Sequence, residues 1–241
     1  MLVDICLPAH NEETVLKKNT LRLYEFCKNQ NFPFEWKITI IINASTDHSP
    51  VIAEELAKNI PKVFFLIINE PGRGNALQYT WLHSTAEIVC YMDSDLAVSL
   101  SSLPLLLRPI INNQADITIG SRYQKESVIN RSIIRGITSR AYNGLAKLFL
   151  KHTYLDLQCG FKAIRNSVFT TLSPYIKDKN WFFDTEMIIW ADKRGYTIKE
   201  IPVNWKEARF ENRASKVKLI KDSFYFIKKL SNLRKTINTD T

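Results

Sequence analysis

The sequence predicts an α/β fold: a mostly parallel central sheet with helices on both faces, followed by a C-terminal amphipathic helix. Two observations predict it. Short β-branched runs alternate with helix-period segments through the first half of the chain. The polar clusters able to do chemistry stand directly after the strand candidates, at the carboxyl ends where open parallel sheets bind ligands.

Leu2–Leu7 is the first strand candidate, followed by a helical stretch over Glu13–Asn29. Lys37–Ile42, with its ITIII run, pairs with a helix over Pro50–Lys58. Val63–Ile68 (VFFLII) and Gly74–His83 come next, then Glu87–Met92 and Ser102–Ile111, then the strand Asp116–Ile119. The loops after these strands are Pro8–Glu12, Asn43–Asp47, Asn69–Gly74, Asp93–Asp95 and Gly120–Arg122. In the second half a helix over Ser132–Lys151 mixes Ile133, Ile137, Leu145, Leu148 and Phe149 with neighbouring Arg131, Arg135, Arg140 and Lys147. Asp156–Lys162 reads as turn, Asp184–Gly195 as helix, Thr197–Trp205 as strand and Lys206–Ala214 as a polar loop. Lys216–Arg234 is a basic amphipathic helix. No repeat or low-complexity linker intervenes, so the expectation is one domain over residues 1–215 and an amphipathic tail over 216–241.

Charge is distributed unevenly. Residues 1–120 hold 9 Lys/Arg and 13 Asp/Glu, whereas residues 121–241 hold 24 and 11. The C-terminal half therefore calls for an anionic partner: phosphate, acidic lipid or nucleic acid. Cys6, Cys27, Cys90 and Cys159 are far apart with no CxxC pair, which argues against a zinc site or disulfide framework and for a reducing compartment. The N-terminus carries acids early and reads as neither signal peptide nor membrane span, and no apolar run reaches the ~18 residues a span needs.

Tyr91-Met92-Asp93-Ser94-Asp95-Leu96 is the sharpest chemical signal. Carboxylates at i and i+2 where a strand ends can turn toward one divalent ion, and hard oxygen ligands suit Mg²⁺ or Mn²⁺ completed by substrate phosphates and water. Alone, the same pair also serves as a helix cap. Ten motifs in register tip the balance: LPAHNEE (7–13), NASTD (43–47), GRGNAL (72–77), YMDSDL (91–96), IGSRY (119–123), SRAYN (139–143), DLQCGFKAI (156–164), WFFDTE (181–186), PVNW (202–205) and RASKV (213–217). In this order they resemble the family-2 glycosyltransferases of the GT-A (nucleotide-diphospho-sugar transferase) fold, and within them the polyprenyl-phosphate glycosyltransferases.

The resemblance implies an inverting, metal-dependent transfer of a sugar from a UDP- or GDP-linked donor to a lipid-linked phosphate. It implies donor contacts from Pro8, Ala9, His10, Asn11, Glu12, Asn43, Asp47, Arg73, Asp93, Ser94, Arg213, Ser215 and Lys216, with Asp93 and Asp95 as metal ligands. Arg122, Arg131, Arg135, Ser139 and Arg140 would receive the acceptor phosphate, since the planar guanidinium suits phosphate oxygens. Asp95, Asp156 and Asp184 would stand at the reacting centre, while Glu186 reads better as a first-turn helix acid. Two positions depart from the family pattern: Ile42 replaces an acid before Asn43, and Ala97 replaces a Gln beyond the DxD.

Leu219, Ile220, Phe224, Phe226, Ile227, Leu230 and Leu233, flanked by Lys218, Lys221, Lys228 and Lys229, have the composition of an interfacial helix, or equally of one packed on its own domain. The expectation is a peripheral protein on the cytoplasmic face of an anionic membrane, with or without a separate membrane-anchoring subunit. Two readings stay open beside it: a transferase acting on a polysaccharide or soluble sugar, and a catalytically silent nucleotide-binding relative. Nucleic acid is not expected as a partner, because the aromatics Trp181, Phe182 and Phe183 read as core or groove residues. A dehydrogenase is not expected, since no GxGxxG follows the first strand.

Overall fold

A computed structural model describes residues 1–130, 133–206 and 219–239, with the side chains at 133–135, 137 and 219–224 outside that description. In chain order the elements are β1 (Leu2–Ala9), α1 (Leu16–Asn29), β2 (Glu35–Asn43), α2 (Ser49–Asn59), β3 (Val63–Ile68), α3 (Arg73–Leu82), β4 (Ile88–Met92), α4 (Leu103–Ile111) and β5 (Ile117–Ser121). There follow β6 (Val128–Asn130), α5 (Ile133–Leu150), β7 (Phe161–Arg165), α6 (Asn166–Leu172), α7 (Phe183–Lys193), β8 (Ile198–Pro202), β9 (Asn204–Lys206) and α8 (Leu219–Thr239).

Seven strands form one sheet in the order β3-β2-β1-β4-β7-β5-β8. All neighbours are parallel except β7, which runs antiparallel to both β4 and β5. The register aligns the carboxyl ends: Ala9 faces Ile42, and Ile42 faces Ile67. The loops after β1, β2 and β3 therefore open on one edge. Because β7 is reversed, its first residues meet the carboxyl ends of its neighbours, with Phe161 opposite Met92 and Lys162 opposite Ile119.

Each sheet face buries its own apolar layer. One side packs α1, α2 and α4, with Leu16, Leu23, Ala53, Leu103 and Leu107 over Ile5, Ile38 and Ile40. The other packs α3, α5, α6, α7 and α8, centred on Trp81, whose ring meets Phe169 edge-on at 4.9 Å. Fully burying each such side chain contributes roughly 1.5–3 kcal/mol, which outweighs the indifferent helix propensity of these segments.

The turn expected over Asp156–Lys162 is only half turn: from Phe161 the chain is a central strand, and β6 and α6 are further elements the sequence pattern does not announce. The strand expected over Thr197–Trp205 divides at buried Val203 into β8, in the main sheet, and β9, which pairs in parallel with β6 in a separate two-stranded sheet. The C-terminal helix packs on its own domain. Leu230, Leu233 and Ile237 are buried in the same layer as α7, and Phe226 meets Tyr142 at 4.7 Å between ring centroids. Of its described apolar stripe, Phe226, Leu230 and Leu233 are taken up by the core, while Ile227 remains 41 % exposed. Among the described residues no helix is long and apolar enough to cross a membrane.

Candidate active site

The first three loops are cross-linked by short polar contacts. Asn11 adopts φ 52°, a left-handed conformation that Asn tolerates. That turn lets its N–H donate to Ser45 Oγ (3.1 Å) and its Oδ1 accept from Thr46 N–H (2.8 Å). His10 Nδ1 lies 2.8 Å from the Asn43 carbonyl. The Asn43 side chain in turn accepts from Gly72 N–H (2.9 Å) and donates to the Glu70 carbonyl (2.8 Å), tying the second loop to the third. Asp47 accepts from Glu13 N–H (3.0 Å) and Ser49 N–H (2.9 Å); partial burial opposes its ionisation, but these bonds win and hold its carboxyl below the usual range. Glu12 is buried, and its N–H donates to Ser49 Oγ at 2.8 Å. Ile42, where the family pattern has an acid, is wholly buried in the core.

The GRG segment depends on glycine. Gly72 has φ 133°, and a Cβ there would stand 2.2 Å from the Lys179 carbonyl oxygen; one on Gly74 would meet Phe183 Cβ at 2.6 Å. This close approach lets Arg73 lie between the rings of Tyr91 (4.9 Å) and Trp181 (5.1 Å). Its Nη2 is 2.9 Å from Asp93 Oδ1. Asp93 itself is fixed from behind: its N–H donates to the Gly160 carbonyl (3.2 Å), and a Cβ at Gly160 would fall 2.1 Å from Asp93 Oδ2. Leu96, at φ 52°, turns the chain back so that Ala97 N–H reaches Asp95 Oδ1 at 3.1 Å. Ser94 is buried and its carbonyl accepts from Asn19. Among the described residues no group of three or more His, Cys, Asp or Glu side chains could hold a metal. A divalent ion here would thus rest on two carboxylates, of which Asp93 is 41 % exposed, and on oxygens brought by substrate and water. That donor set fits Mg²⁺ or Mn²⁺.

Beyond β4 and β5 the contacts change character. Asp156 is wholly buried and engages Arg122 as a fork, Nε to Oδ2 at 2.7 Å and Nη2 to Oδ1 at 2.9 Å. Burial would raise its pKa, yet the Arg122 charge and hydrogen bonds hold it low. Glu200 on β8 pins the turn beneath by accepting from Leu155 N–H and Asp156 N–H at 3.0 and 3.1 Å. Arg122 also reaches Ser139 Oγ on α5 at 3.5 Å, and Arg140 is exposed nearby with its guanidinium over the Tyr123 ring. Asp184, at the start of α7, is buried between Lys162 Nζ (3.1 Å) and the Tyr91 hydroxyl, which donates to it. Lys162 is itself fully buried and donates to the Cys159 carbonyl at 2.6 Å. Glu186 accepts from the N–H groups of Lys177 and Asp178, a loop-holding role in keeping with its reading as a helix acid.

The structure thus links Pro8–Glu12, Asn43, Asp47, Arg73, Asp93 and Asp95 along one edge, and joins Arg122, Asp156 and Ser139 beside it. Asp156 and Asp184 are enclosed by cationic partners rather than facing outward. Arg131, Arg213, Ser215 and Lys216, and the side chain of Arg135, lie outside the described residues. Sequence reasoning assigned no role to Lys162 or Tyr91, and read Trp181 only as a core or groove residue. All three lie within quoted motifs, but what pairs Lys162 with Asp184 is the reversed strand, which leaves no local signal.

Comparison with known proteins shows the family and the fold. The model of glycosyl transferase family 2 matches residues 4–172. Glycosyltransferase AglD of Haloferax volcanii is 32% identical over 91% of this chain, which spans only 35% of that protein. A dolichyl-phosphate β-glucosyltransferase (ALG5A) of Trichomonas vaginalis is 32% identical, with 85% of this chain and 66% of its own length covered. The dolichyl-phosphate β-glucosyltransferase of Saccharomyces cerevisiae is 27% identical over 97% of this chain and 74% of its own. Among solved structures, mannosyl-3-phosphoglycerate synthase from Rubrobacter xylanophilus superposes with a TM-score of 0.71 at 14% identity, covering 100% of this chain and 76% of that one. Glucosyl-3-phosphoglycerate synthase from Mycobacterium tuberculosis, solved with Mn²⁺ and UDP, gives 0.69 at 15% identity, covering 98% and 79%. The loops at the carboxyl edge, the Asp93–Asp95 pair and the family match converge: the chain belongs to glycosyl transferase family 2 and carries the GT-A fold.

Proposed function

We propose that this glycosyltransferase moves a sugar from a UDP- or GDP-linked donor to a polyprenyl phosphate, with inversion at the anomeric carbon. The observation that carries the acceptor assignment is Arg122. Its side chain is 13 % exposed, oriented by Asp156 through a bidentate pair and adjacent to Ser139, an arrangement suited to an anion and superfluous for a neutral sugar hydroxyl. The dolichyl-phosphate β-glucosyltransferase relatives support the same acceptor class.

On the donor side, the loops of β1, β2 and β3 would cradle the nucleotide, with Arg73 beside its diphosphate. Asp93 and Asp95 would hold a Mg²⁺ or Mn²⁺ ion, which when bound neutralises charge on the departing nucleoside diphosphate. A lipid phosphate is ionised at neutral pH and attacks without a general base. Asp156 and Asp184 then serve to orient Arg122 and Lys162. Such preorganised charge is where most of the rate acceleration in group transfer arises. The acceptor's lipid chain implies action at a membrane surface, and four buried free thiols support the cytoplasmic face.

The test is organic extraction after incubation with polyprenyl phosphate, divalent metal and a panel of labelled UDP- and GDP-sugars. Label should enter the organic phase for one donor and fall at least about 100-fold in Asp95→Ala, on the scale of losing one transition-state contact. Label passing only to a soluble sugar or polysaccharide would replace the lipid acceptor with a neutral one.

A further inference from the structure

We infer that Arg73 is a stand-in cation at the metal site: it occupies Asp93 when no metal is bound, and trades that carboxylate for the donor's diphosphate when metal and donor arrive. The inference rests on the reading that Asp93 and Asp95 hold the ion.

The Arg73–Asp93 contact is close, at 2.9 Å, but it is not a directed hydrogen bond. Arg73 Nε and Nη2 are both buried without an aligned acceptor among the described residues, although the side chain is only 13 % exposed. Buried N–H groups left without acceptors are costly, and native proteins rarely tolerate them without a reason. A guanidinium held by charge and by two aromatic faces, Tyr91 and Trp181, yet short of acceptors, is suited to a polyanion that enters from the cleft.

Of the two partners, Arg73 is the one able to move. Asp93 is bonded through its N–H to Gly160 O, and its carboxylate fills the space a Cβ at Gly160 would need. Arg73 begins α3, and its long side chain can swing about its own bonds while the closely packed glycines on either side stay in place. A divalent ion on Asp93 Oδ1 would meet the Arg73 charge at close range, in a partly buried place where screening is weak. Metal alone must therefore displace Arg73 into a position with no counter-anion. Metal with a nucleoside diphosphate supplies that anion, so each ligand promotes the other, and the coupling is reciprocal.

The experiment measures Mn²⁺ binding by the electron paramagnetic resonance signal of the free ion, for wild type, Arg73→Met, Arg73→Gln, Arg73→Lys and Asp93→Asn, with thermal melts verifying the fold of each. Without nucleotide, Arg73→Met and Arg73→Gln should bind Mn²⁺ roughly tenfold more tightly than wild type, on the scale of one removed like charge. Arg73→Lys, which keeps the charge, should stay within about twofold. UDP or GDP, referenced to the separately measured metal–nucleotide complex, should tighten Mn²⁺ on wild type more than on Arg73→Met. If both neutral variants bind Mn²⁺ no better than wild type while Asp93→Asn binds it worse, the metal site stands and the stand-in role falls. If Asp93→Asn binds as wild type does, the metal reading falls, and this inference with it.

Discussion

The two sides of the cleft are held together differently. On the proposed donor side, single hydrogen bonds between loops do most of the work, beside the partly exposed Arg73–Asp93 pair: Thr46 to Asn11, Gly72 to Asn43, Glu13 to Asp47. On the acceptor side, buried ion pairs do it: Arg122 with Asp156 and Lys162 with Asp184. Such an inter-loop bond contributes about 1 kcal/mol, somewhat more where the acceptor is the Asp47 carboxylate. A buried charge whose partner is deleted costs several times more. On the proposed assignment, the donor side would adjust around a nucleotide, and the acceptor side would hold fixed charge where an anion is to be recognised.

Deleting one half of a buried pair presses this comparison hardest. Asp156→Leu should cost about 3–5 kcal/mol in urea unfolding, because it strands Arg122. The double variant Arg122→Met/Asp156→Leu should recover most of that stability while label transfer to lipid stays lost. A single variant costing under about 1 kcal/mol would erase the distinction between the two sides.

A milder perturbation belongs on the donor side. Asn11→Ala removes an inter-loop bond and places Ala at a positive φ, so about 1–2 kcal/mol of stability should go. The donor KM should rise several-fold with kcat nearly unchanged, measurable by initial rates over a range of nucleotide-sugar.

A pH-graded effect tests what burial does to a titratable group. His152, buried just beyond α5, is held down to about 4 from an ordinary 6.5, chiefly by burial. It stays neutral in the folded chain while the unfolded chain takes up a proton first. Its contribution is complete above pH 6.5 and declines as the pH falls toward 4, by at most about 1.4 kcal/mol per unit. Thermal melts across that window should show His152→Phe losing less stability than wild type as the solution is acidified.

Much of the donor side was legible in the sequence because its chemistry is local. Each polar cluster follows a strand whose β-branched run announces it, so Asp93 and Asp95 could be placed at a strand end from pattern alone. The acceptor side depends on β7, whose apolar run is broken by Lys162 and preceded by Cys-Gly, so that it resembles a turn. Only the sheet order brings Lys162 to Asp184. The C-terminal helix shows a different limit. An apolar stripe beside lysines has the same periodicity whether it covers lipid or Phe182, and only the packing of Leu230 and Phe226 decides for the described part.

The reversed central strand also governs how the chain must be made. During synthesis β4, every residue of which is buried in the final sheet, emerges with one edge open, and Phe161–Arg165 cannot close it until β5, β6 and α5 have been made. Until then an apolar strand edge is available to any neighbouring chain, the condition under which β-rich intermediates aggregate. The backbone partner of Asp93 arrives with that same late segment. A fragment ending before Gly160 would thus have an open apolar edge and lack the backbone partner of Asp93.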